Sequence, residues 1–83
     1  EADDRALRGV RAMTLRVVDA VRVGGRATLR VSPQDGSVRL GWRGPLGELD
    51  TEPVAAWVRP LGGDAGVTRA EGWSEAWIDL PRA

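Results

Sequence analysis

The sequence predicts an α+β fold. It is a two-layer sandwich in which two helices cover one face of an antiparallel or mixed four-stranded sheet, in the order helix-strand-strand-helix-strand-strand. Three observations carry this. Apolar residues recur at spacings of three and four between Asp3 and Val23. Two alternating runs, Arg26 to Val31 and Val38 to Arg43, flank a proline and Asp-Gly turn. A proline-marked helix start near Thr51 is then followed by a Gly-Gly stop and two more alternating runs.

The first helix is expected over about 3–23. Leu7, Val10, Thr14, Val17, Val18 and Val21, with Ala6 beside them, fall on one face at about 100° per residue. Arg5, Arg8, Ala12, Arg16 and Asp19 fall opposite. Asp3 or Asp4 suits the N-terminal cap, and Gly24 suits the left-handed position after the last turn. A strand over Thr14 to Val23 competes, because valine favours β-structure. The helix is preferred because the alternation breaks at Val18-Asp19-Ala20 while the 3–4 spacing persists.

Strands follow over about 26–31 and 37–43, joined by the turn Ser32-Pro33-Gln34-Asp35-Gly36-Ser37. Ala27, Leu29 and Val31 share one face with Val38, Leu40 and Trp42 across the hairpin. A second helix over about 51–60 takes Thr51 or Asp50 as its cap and turns Val54, Trp57, Val58 and Leu61 inward. Pro60 lacks the N–H that would bond back to Ala56, so the helix ends or tightens near Arg59, and Gly62-Gly63 completes the stop. The last strands are expected over about 66–71 and 74–80, bent around Gly72, with Ala76, Ile78 and Leu80 opposite Glu75, Trp77 and Asp79.

Composition narrows the chemistry. At 83 residues there is room for one domain, 1–83, around one core. Cysteine and histidine are both absent, which removes disulfides, thiolate metal sites, the commonest general base and any phosphohistidine within the chain. Twelve arginines balance twelve carboxylates, and a zero net charge argues against a nucleic-acid partner. No apolar run reaches the roughly 20 residues of a membrane span, so the chain is expected to be cytoplasmic. It opens on Glu1 rather than Met and is read as an excised domain, the C-terminal part of a longer protein.

VVDAVRVGGRATLRV (Val17 to Val31), the Asp-Gly hairpin, the helix closing on LGG (Leu61 to Gly63) and the terminal GWSEAWIDLPRA together resemble the GHKL fold, the ATP-binding domain of histidine kinases. The resemblance covers nearly the whole chain and fails where that family does its chemistry. Aligned on the Gly-Gly stop, the family's two metal- and phosphate-holding asparagines correspond to Ala12 and Arg16. Its Asp-x-Gly-x-Gly box corresponds to Gly41-Trp42-Arg43-Gly44-Pro45-Leu46-Gly47, which has no aspartate. Only Gly47 to Asp50 remain where an ATP lid should be.

The resemblance therefore implies a degenerate domain without ATP or any other cofactor, similar to the C-terminal domain of bacterial histidine phosphotransferases of the ChpT type. It implies a non-catalytic role in a phosphorelay, docking a response regulator or a kinase. The relay histidine and any dimerising helices would then lie in a segment outside this chain. Two alternatives stand beside it: a lidless remnant that still binds nucleotide, and an unrelated small α+β interaction module.

No residue combination offers a nucleophile, a metal set or a carboxylate pair with a reacting partner, so no catalytic or metal-binding residue is assigned. The candidate interface residues are Trp77, Arg30, Arg39, Arg8 and Arg16. Tryptophan and arginine are the side chains enriched at binding hot spots. The competing readings are a tryptophan covered by arginine stems and an arginine line that is simply solvated. Trp42, Trp57 and Trp73 are expected in the core or at its rim.

Overall fold

A computed structural model describes residues 4–21 and 25–81. Helix α1 is Asp4–Ala20, strands β1 and β2 are Thr28–Gln34 and Ser37–Gly44, helix α2 is Glu52–Val58 with a 3₁₀ turn at Arg59–Leu61, and strands β3 and β4 are Asp64–Ala70 and Trp73–Pro81. The sheet order is β1-β2-β4-β3 with every neighbouring pair antiparallel. Two hairpins are thus joined through β2 and β4. β2 and β3 run parallel with β4 between them, so α2 is the crossover of a split β-α-β unit. The element order and fold class agree with the sequence reading. The expected cap at Asp3 and stop at Gly24 lie outside the described residues.

Strand bounds differ in instructive ways. β1 starts at Thr28 rather than Arg26 and runs through Pro33 to Gln34, leaving only Asp35-Gly36 as the turn. Pro33 fits within the strand because β1 is at the sheet edge, where a missing N–H costs no ladder bond. Gly36, at φ 79°, supplies the left-handed residue of the turn. β3 begins two residues early, at Asp64, and β4 extends from Trp73 to Pro81.

α2 meets its sequence signals closely. The Asp50 carboxylate accepts from the Glu52 N–H at 3.0 Å, so Asp50 rather than the Thr51 side chain caps the helix. The turn tightens to 3₁₀ at Arg59–Leu61 around Pro60, and Gly62 takes φ 88°. The Gly62 and Gly63 N–H groups then return to the carbonyls of Arg59 and Val58.

Both helices lie on one sheet face, over Leu40, Trp42, Ala65, Ala76 and Ile78. The face α1 turns inward overlaps its apolar stripe in part: Val17 is buried and Val10 and Val21 pack against the core as expected, but the helix is rotated toward Gly9 and Met13. Gly9, Met13 and Val17 are buried, and Ala12 and Arg16 are half-buried, whereas Leu7, Thr14 and Val18 are exposed. The cause is Gly9: a Cβ there would lie 2.8 Å from Val58 Cγ1, so the bare glycine lets α1 approach α2. α1 is thereby drawn toward α2 and away from β1, and Leu29 and Val31 of β1 are left 52% and 62% exposed. Trp57 departs from expectation in the same region. The inner side of α2 is taken by Val54, Ala55 and Val58, and Trp57 lies at its flank beneath the Arg8 guanidinium, 5.3 Å from the ring centre.

Candidate functional site

Strand parity brings three of the five candidate residues together. On the sheet face opposite the helices, Arg39 pairs with Asp79, Gly41 with Trp77, Arg43 with Glu75, and Arg30 of β1 with Gly41. Trp77 lies flat over Gly66, where a Cβ would come within 2.7 Å of the indole Cζ2. The Arg39 guanidinium stacks on the other side of the ring, 4.3 Å from its centre, and donates to both Asp79 oxygens at 2.6 and 2.7 Å. Arg43 repeats the arrangement over Trp73 at 4.1 Å, with its Nε 3.9 Å from the Glu75 carboxylate. Trp73 therefore belongs to this outer layer rather than to the helix-covered core. Arg30 is exposed at its margin, on the edge strand β1.

Arg8 and Arg16 are on α1, on the other side of the sheet, and do not join this cluster. Arg8 covers Trp57. Arg16, with Asp19, Ala20, Glu48, Leu49 and Asp50, lines a hollow of about 230 Å³ between the end of α1 and the short loop before α2. Its Nε is buried without a hydrogen-bond partner among the described residues.

The loop bounding that hollow is fastened down. The Gly47 N–H donates to the Ala20 carbonyl at 2.8 Å, and Val21 forms an isolated bridge with Leu46. From the other side, Arg69 donates to the Leu46 and Gly47 carbonyls at 3.0 and 3.1 Å and to Ser74 Oγ at 3.0 Å. These bonds satisfy Ser74, a buried polar residue. Three carboxylates, Asp19, Glu48 and Asp50, face the hollow against one arginine, which disfavours a phosphate chain there. Among the described residues no group of three carboxylates is placed to hold a metal ion.

Sequence reading missed Arg69 and the Arg43–Trp73 stack. The inward parity of Arg69 was visible in the alternation of its strand, but its partners are backbone carbonyls, which carry no residue signature. A third ionic group, Arg59 with Glu52 and Asp64, ties α2 to the start of β3 at 3.1 Å to each carboxylate. The Ala65 N–H, and then Arg59, hold the Asp64 pKa below its ordinary value.

Comparison with known proteins adds no family: no protein-family model, no curated protein and no solved structure matches this chain.

Proposed function

We propose that this chain is a non-catalytic docking domain, a degenerate GHKL-type domain that does not bind ATP and serves a bacterial phosphorelay of the histidine phosphotransferase or pseudokinase kind. The observation that carries the reading is the fastened loop. Backbone bonds from Gly47 and Leu46 to the end of α1, reinforced by Arg69, hold a short loop against the first helix in place of a lid and leave beside it only a hollow of about 230 Å³. Ala12 and Arg16 on the adjoining face supply no oxygen ligand for magnesium, and the surrounding carboxylates repel phosphate.

What remains is a rigid sheet that presents Trp77, Arg39 and Arg30 on its uncovered face. A response regulator or a kinase is the partner the resemblance implies. Such a role belongs in the cytoplasm; no helix among the described residues is long and apolar enough to cross a membrane. The test is a titration of isotope-labelled protein with Mg·ATP followed by amide chemical shifts. Arg16, Gly47, Leu49 and Asp50 are expected to stay unmoved. Saturable shifts at these positions would restore the nucleotide-binding alternative.

A further inference from the structure

β1 is an edge strand, and the register of its hairpin fixes which backbone groups face outward. The two-residue turn Asp35-Gly36 closes on a hydrogen-bonded pair, Gln34 with Ser37, and bonded residues then alternate back through Ser32, Arg30 and Thr28. Leu29 and Val31 therefore point their N–H and C=O groups away from the sheet. Pro33, which has no N–H, adds an outward carbonyl. None of these groups is bonded among the described residues. A free run of this kind is a template for another strand.

The opposite edge is not equivalent. Counted in the same way from the turn Glu71-Gly72, the outward residues of β3 are Ala65, Val67 and Arg69. The Ala65 N–H is already taken by the Asp64 carboxylate at 2.9 Å, and that carboxylate is held by Arg59 at 3.1 Å. Pairing β1 of one copy with β3 of the next would have to break this group. Open-ended, head-to-tail growth is thereby disfavoured, and pairing of β1 with itself gives a closed arrangement.

β1 is complementary to itself. Antiparallel pairing about a two-fold axis at Val31 overlaps the whole strand, Thr28–Gln34. The two Val31 residues then exchange both N–H···O=C bonds, and each Leu29 N–H donates to the Pro33 carbonyl of the other copy. The missing proline N–H leaves only the Leu29 carbonyl without a ladder partner. Side chains match as well. On the helix side Val31 meets Val31 and Leu29 meets Pro33, and on the other side Arg30 meets Ser32 and Thr28 meets Gln34. Sliding the copies by two residues in one direction would set Arg30 directly opposite Arg30, and in the other would shorten the overlap.

We infer that two copies of this chain associate edge to edge through β1, joining their sheets into one continuous antiparallel sheet. This goes beyond the docking reading and is independent of it, because the contact is a backbone edge rather than the Trp77 face.

Sedimentation from about 10 μM to about 1 mM is expected to show a monomer passing into a dimer. Over that range hydrogen exchange of the Leu29 and Val31 amides is expected to slow about tenfold or more. The Arg30 and Ser32 amides, bonded to β2 in both states, should change little. Because Val31 faces its own counterpart, Val31→Lys and Val31→Glu are each expected to be monomeric, and their equimolar mixture to restore the dimer. The chain has no cysteine, so Val31→Cys is expected to give a disulfide-linked dimer under mild oxidation. Thr28→Cys, whose two copies would lie about 20 Å apart, is expected to give none. Thermal melting checks that each variant folds.

A monomer up to about 1 mM overturns the inference and leaves the edge to a strand of another protein. So does a dimer that survives Val31→Lys, or one whose Leu29 and Val31 amides exchange as in the monomer, since either places the contact on another surface. Growth beyond the dimer overturns the closed two-fold arrangement.

Discussion

Gly9 and Asp64 show how far single residues set the properties of this domain. Alanine at Gly9 gains about 1 kcal/mol of helix propensity, but its Cβ would stand 2.8 Å from a fully buried, β-branched Val58 side chain. Overpacking of that kind costs about 1–3 kcal/mol, so Gly9→Ala is expected to lower the urea midpoint by a net loss of about 1 kcal/mol. In a Val58→Ala background that loss should disappear, and a double-mutant cycle measures the coupling. Asp64 supplies a pH prediction. Its folded pKa is depressed, first by the Ala65 N–H and then by Arg59. Its contribution is therefore complete above the ordinary carboxylate pKa and is lost as pH falls through the lower folded value. Asp64→Asn should lower the melting temperature slightly at neutral pH and flatten that acid limb, so that variant and parent converge at the lowest pH. Gly9 carries no signal of its own in the sequence pattern. Its meaning depends on Val58, almost fifty positions away, and no local pattern reports such a contact.

At the scale of elements, the two hairpins and both helices were legible because each repeats a period that the backbone enforces. Alternation placed Ala76 and Ile78 in the core and Trp77 on the opposite face, and the structure agrees. The orientation of α1 was legible only in part, since Val10, Val17 and Val21 of the stripe reach the core while Leu7, Thr14 and Val18 do not. Apolar periodicity marks which face avoids water, but it does not distinguish a stripe that fills this core from one left open beside it. The two orientations predict different mutants. Met13→Ala removes a fully buried side chain and is expected to cost about 2–5 kcal/mol. Leu7→Ser, at an exposed position, should change stability by no more than about 0.5 kcal/mol. Equilibrium denaturation distinguishes them, and a large loss at Leu7 with a small one at Met13 would restore the original orientation. The loop after β2 gives a further element-scale prediction. Arg69→Ala deletes charge-assisted bonds to the Leu46 and Gly47 carbonyls and a partner of Ser74. It is expected to cost about 1–2 kcal/mol and to speed hydrogen exchange of the Gly47 amide.

The whole molecule combines a sheet with one side covered, a helix pair drawn toward one end of it, and a short loop held between α1 and β3. Grouping Trp77, Arg39 and Arg30 needed only strand parity and could be read from the sequence, whereas Arg8 and Arg16 required the true rotation of α1. The closed loop could be inferred only as a missing lid, since its bonds are made by backbone and by Arg69. The central claim is that this loop closes the place where a nucleotide would sit. Melting of the domain with and without Mg·ATP tests that claim most directly. With nucleotide at about 1 mM, a micromolar site would add about 4 kcal/mol. In a domain of this size that would raise the melting temperature by about 15–30 °C. The account predicts no rise beyond that seen with magnesium alone. A nucleotide-dependent rise of several degrees, abolished by a substitution at Arg16, would contradict it.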